Sequence, residues 1–218
     1  MEKLIDKLSL YDFFGYFIPG LLGTWAINVF FTDVLCIDFF VKLEEGFLNS
    51  IIFIAMSYYI GVILHETSEC FQKYLFRPLW KGLPSEKFLQ DNNTKYSAEI
   101  KALIKNMIKE KFGIEVDNSP IKNQEVFNLV YSSLQKGGKD EKVQLFNALY
   151  GMYRNFFAGT ILCIIVFFIK SLLLWKNQVN TINSLSYTVL FVLCGLILLR
   201  RNKRFSERFV DDQVQISV

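Results

Sequence analysis

The only histidine of the chain opens the string His65-Glu66-Thr67-Ser68-Glu69. On a helix, positions 65, 66 and 69 share one side, so an imidazole and two carboxylates converge as they would to hold a cation or activate a water. The string is the zinc-hydrolase helix His-Glu-x-x-His without its second histidine, and no third strong ligand is apparent. Placed at the end of an apolar stretch, the same residues predict a polar cluster at a membrane boundary, with Glu66 or Glu69 neutralising Arg154. That cluster is the expectation here, and a boundary hydrolase using His65 and Glu66 is its rival.

A second set with chemical potential is the row Lys101, Lys105 and Lys109, with Lys111 beside it. Ammonium groups one helical turn apart face water or each meet a separate phosphate. Together with Arg154 they are the candidate ligand-binding residues. The chain holds no Walker loop, no Gly-rich dinucleotide fingerprint, no nucleophile elbow and no Cys/His metal spacing. Neither a catalytic residue nor a metal site is therefore assigned, and no cofactor is expected beyond a regulatory ligand. A net charge of +3 gives no reason to expect a DNA or RNA duplex as partner.

The elements that must position these residues are apolar helices. Phe13–Thr32, Gly46–Leu64, Phe156–Ile169 (extendable past Lys170 to Trp175) and Asn177–Leu199 carry no charge, and about 20 residues at 1.5 Å rise cross a hydrocarbon core of about 30 Å. The chain is thus predicted to be an all-α, four-span membrane protein. Its parts are an amphipathic helix over 1–12, a transmembrane hairpin over 13–64 (spans 13–32 and 46–64), a helical domain over 65–155, a second hairpin over 156–199 (spans 156–175 and 181–199) and a basic tail over 200–218. Pro19-Gly20 predicts a bend in span one and is the candidate hinge. Lys and Arg concentrate in the N-terminus, in 65–155 and in the tail, which places those parts and both termini in the cytoplasm. Of the four cysteines only Cys36 falls outside on this topology, so no disulfide framework is expected.

Within 65–155, Ile100, Leu103, Ile104, Met107 and Ile108 predict the apolar face of a helix that Gly113 ends. Val126, Leu129, Val130 and Leu134 predict another, after the break at Asp117-Asn118-Ser119-Pro120. No acid lies near a span midplane, which argues against proton-coupled transport, and four such spans make a conduit only as several copies. A homo-oligomer in the lipid bilayer is expected.

Three strings carry a resemblance: Leu8-Ser-Leu-Tyr-Asp-Phe-Phe-Gly-Tyr-Phe-Ile-Pro-Gly20, Gly61-Val-Ile-Leu-His-Glu-Thr-Ser-Glu69 and Tyr153-Arg-Asn-Phe-Phe-Ala-Gly159. They resemble small bacterial membrane proteins of anti-phage defence systems, and by size and layout the chain is most similar to the channel-forming effectors of the Hailong type. The resemblance covers the span framework and not residues 71–140. It implies a dormant oligomer in the bacterial inner membrane, a cytoplasmic part that binds a signal nucleotide from a partner nucleotidyltransferase, and an opening that depolarises the cell. It carries over no ligand residue. The remaining rival is a non-catalytic membrane anchor that recruits a cytoplasmic partner through residues 71–140.

Overall fold

The computed structural model describes residues 12–37, 47–117, 119–136, 141–176 and 182–217. Residues 1–11 of the amphipathic helix expected over 1–12 and most of the connection after span one lie outside them. Every regular element among the described residues is helical. In chain order these are α1 (Asp12–Val34), α2 (Phe47–Phe71), α3 (Pro84–Lys87), α4 (Ala98–Phe112), α5 (Pro120–Lys136), α6 (Glu141–Lys176) and α7 (Ile182–Ser217). Past Phe71 the chain continues helically through Gln72–Phe76 and Arg77–Leu79.

Among the described residues four stretches are long and apolar enough to cross a membrane: Asp12–Val34, Asn49–Leu79, Gln144–Lys176 and Ile182–Val214. Each is longer than the charge-free run that announced it, because the helical backbone continues into polar sequence at one end or both. The described residues form two compact units, one from the parts of 1–71 and 151–202, the other from those of 72–150 and 203–218.

In the first unit, α1 and α2 approach until their backbones touch. A Cβ at Gly20 would overlap the Ser57 carbonyl, and one at Gly61 would overlap the carbonyl of Tyr16, so only glycine fits at these two crossings. Ile60, Leu64 and Ala158 form the small buried cluster there, with Ile27 and Phe71 against it. The opposite faces stay apolar and uncovered, with Ile51, Ile52 and Ile54 on α2 and Leu190, Leu193 and Leu196 on α7 exposed. Such faces are what a hydrocarbon solvent tolerates and water does not. Charge returns at both ends of this apolar band: Lys170 Nζ meets Asp33 Oδ2 at 2.5 Å at one end, and Arg154 marks the other. Residues 154 to 170 of one helix lie about 24 Å apart along its axis at 1.5 Å per residue, close to the hydrocarbon thickness.

The second unit has a core of its own, built from Phe88, Leu89, Ile104, Ile108, Val126, Phe127, Val210 and Val214. Ser97 Oγ accepts from the Ile100 amide to start α4, Gly113 ends it at φ 68°, and Pro120 opens α5. Within the stretch read by its charge as a tail (200–218), residues 200–217 are helical as the last turns of α7, and Val210 and Val214 belong to this core. Gln213 Nε2 donates to the Phe127 carbonyl at 2.6 Å, while Lys95 Nζ pairs with Asp211 at 2.6 Å. The core face of α4 is also turned relative to expectation. Ile104 and Ile108 are buried, but Ile100 and Leu103 are exposed and Lys101 takes the inward position.

Candidate functional site

Pro19 sets the first piece of the site. Proline has no amide proton to give the carbonyl four residues earlier, which is that of Gly15. The backbone over Asp12–Phe17 widens into i→i+5 turns just before it. Gly15's carbonyl takes its hydrogen bond from another helix: Asn155 Nδ2 on α6 donates to it at 2.6 Å. A wide turn thus precedes the candidate hinge at Pro19-Gly20, and the Gly15 carbonyl within it is met by a buried amide.

Asn155 is fully buried and reaches α2 as well. Its Nδ2 lies 3.3 Å from His65 Nδ1, and its Oδ1 is within hydrogen-bond range of Ser68 Oγ, which also stands 2.7 Å from the His65 carbonyl. Arg154, 7% exposed, brings Nη2 to 3.1 Å from the same His65 Nδ1 and to 3.5 Å from Glu69 Oε1. Two donors converge on Nδ1, so that nitrogen is the acceptor and the ring proton sits on Nε2, 3.4 Å from Glu69 Oε1. Tyr16 closes the cluster with its ring edge-on to the imidazole at 5.0 Å.

The structure therefore brings together His65, Glu69, Arg154 and the Pro19 turn. Of the two candidate glutamates it is Glu69 that lies within ion-pair distance of Arg154. Both ring nitrogens of His65 thus face protein groups, Nδ1 towards Arg154 and Asn155 and Nε2 towards Glu69. Among the described residues no group of three or more His, Cys, Asp or Glu is placed to hold a metal ion. Asn155 was missed by sequence reasoning. Its signal was indirect: a proline inside a span orphans one carbonyl, and an amide at the boundary of a facing span is a ready donor.

The lysine row lies in the second unit, apart from Arg154 in the first. Lys101 is buried, and its Nζ donates to the carbonyls of Gln90, Asp91 and Asn93. Lys105 Nζ reaches Asp91 Oδ1 at 3.5 Å, and Lys109 Nζ pairs with Glu115 Oε1 at 2.6 Å, which raises the lysine's pKa and lowers the glutamate's. Lys101 thus acts as a peg for the 90–93 loop. Lys101→Met is expected to lose about 2 kcal/mol, because three carbonyls give up a charged donor. Lys105→Gln, whose aspartate partner is largely exposed, is expected to stay within about 0.5 kcal/mol. Lys109→Gln should leave the unfolding midpoint where it is. Denaturant unfolding of the detergent-solubilised chain followed by circular dichroism separates these, and equal effects of all three would refute the peg.

These features define an all-helical protein with four helices able to cross a membrane, compatible with association with a lipid bilayer. No protein-family model, no curated protein and no solved structure matches the chain.

Proposed function

We propose that the protein is an oligomeric membrane effector: a channel or pore that depolarises the cell membrane, gated by a nucleotide signal bound in its second unit on the cytoplasmic side. This is the role implied by the resemblance to bacterial anti-phage effectors. The observation that carries the reading is the Gly15–Asn155–His65–Arg154 network. Irregular backbone at membrane depth is tolerated where protein or a water-filled cavity satisfies it, and here one side-chain amide ties the Gly15 carbonyl of span one to spans two and three. A carbonyl held by a side chain of a neighbouring helix can be released to water or an ion when the helices shift, which makes the turn a gating element. The apolar faces of α2 and α7 offer surfaces for lipid or for further copies, as an oligomeric pore requires.

The deciding experiment reconstitutes the full chain in lipid vesicles under a potassium gradient and reads a voltage-sensitive dye, with and without added nucleotide. Conduction that depends on nucleotide is the expected result, together with depolarisation and growth arrest when the chain is expressed in its signalled state. Vesicles that stay silent in both conditions while holding correctly assembled protein would overturn the channel and leave the anchor.

A further inference from the structure

The second unit contains a cavity of about 460 Å³ bordered by Trp80, Lys81, Lys87, Lys95, Tyr96 and Lys203, and neither the lysine row nor the boundary cluster accounts for it. Four lysines line it, and Glu207 is the one carboxylate in the lining. Lys203 lies 4.0 Å from that glutamate, and Lys95 is paired with Asp211. Lys87 Nζ donates to the Trp80 carbonyl at 2.7 Å. Burial, reinforced by Lys203 and Lys81, pushes the Lys87 ammonium below its usual pKa, against the pull of Glu86. The cavity therefore concentrates positive charge without enough carboxylate to balance it, and an anion there would relieve the repulsion.

The aromatic part of the lining is as specific as the charge. Trp80 stacks on Phe76 at 5.1 Å and 13°, which fixes its plane. Tyr96 is anchored through its hydroxyl to Asp211, and burial followed by that contact raises its pKa, so the phenol stays neutral. Rings held from behind give a flat ligand a preorganised surface to stack on. The volume falls in the range of small-molecule sites. The 90–93 segment of the rim is pinned by Lys101, so the cavity has a fixed edge.

We propose that this cavity binds an organic phosphate carrying a flat ring, a nucleotide, with Lys81, Lys87 and Lys203 on the phosphates and Trp80 or Tyr96 against the ring. Compact ammonium charges suit phosphate, and base–aromatic stacking is tolerant of base identity. The proposal deepens the nucleotide-controlled reading above and rests on it for its biological role, but its test does not involve conduction.

Calorimetric titration of the full chain in phosphatidylcholine nanodiscs decides it, with ATP, GTP and the dinucleotide pApA as nucleotides and with inorganic triphosphate and adenosine as halves of the ligand. At least one nucleotide is expected to bind at least 10-fold tighter than either half. The Lys81→Gln, Lys203→Gln double variant should weaken that binding at least 10-fold and flatten its salt dependence, and Trp80→Ala should weaken nucleotide while leaving triphosphate unchanged. Melting curves of the variants confirm that they fold. Triphosphate binding as tightly as the nucleotides would overturn the ring contact, and a double variant that binds like the parent would overturn the site. Phosphatidylglycerol nanodiscs that abolish nucleotide binding at constant salt would assign the cavity to a lipid headgroup instead. Nucleotide binding with silent vesicles would sink the channel and keep the site, whereas conduction without nucleotide binding would do the reverse.

Discussion

Replacing Asn155 with Leu is expected to cost about 3 kcal/mol, because one buried side chain serves three helices. Its amide donates to Gly15 and lies within reach of His65 Nδ1, and its oxygen faces Ser68. Leucine nearly matches asparagine in size but supplies no donor, so the Gly15 carbonyl loses its cross-helix partner in a buried site, and a polar group deprived of its bond there costs about 1–3 kcal/mol. Loss of the tie to His65 adds to that. The physical claim is sharper than the total. In a regular α-helix the amide of residue 19 would serve the Gly15 carbonyl and proline cannot, so Pro19→Ala should offer that donor and shrink the penalty of Asn155→Leu. Reversible unfolding in mixed micelles measures the four members of the cycle, and a coupling of at least about 1 kcal/mol is expected. If Asn155→Leu costs the same with alanine at position 19 as with proline, the amide does not stand in for the missing backbone donor. In vesicles, the same variant should shift the nucleotide dependence of conduction, since it frees the turn proposed to gate.

Span positions were legible because the rules behind them are local: runs without charge, Gly113 at a helix end and Pro120 at a start speak through their own backbones. What was not legible depended on partners far away in sequence. Lysines at 101, 105 and 109 share a face by periodicity, yet periodicity cannot say that the 90–93 carbonyls lie over the first of them and Glu115 beside the last. The same long-range fact rotates α4, so that Ile100 and Leu103 face out while Lys101 turns in. For α7 the signal was present and outweighed. Phe205, Phe209, Val210 and Val214 recur at helical spacing, but Arg200, Arg201, Lys203 and Arg204 dominate the composition and read as a solvated tail. Asn155 needed two observations at once, a proline in one helix and an amide in another. Only the first is visible without knowing which helices face each other.

Arg154→Ala carries the second large expected effect, on the order of 3 kcal/mol, since a side chain this buried both fills volume and holds a charge in place. How that loss divides tests where the guanidinium is anchored. Glu69 is its carboxylate at 3.5 Å, but the Glu69 side chain is 54% exposed, so water screens the attraction. The shorter contact, at 3.1 Å, is to an uncharged ring nitrogen of His65. A cycle of Arg154→Ala with Glu69→Gln should therefore show coupling of no more than about 1 kcal/mol. Arg154→Ala with His65→Phe should couple more strongly, because the phenyl ring keeps the packing against Tyr16 while removing the acceptor. If the glutamate cycle proves the stronger, the guanidinium is held by charge and not by the imidazole. If both cycles are additive within about 0.3 kcal/mol, the cluster is a set of neighbours without mutual stabilisation, and its proposed part in holding the proline turn loses its basis. Lysine at 154 separates charge from geometry: it keeps the positive charge but cannot present two donors in a fixed plane to His65 and Glu69 together, so it should recover only a minor share of the loss.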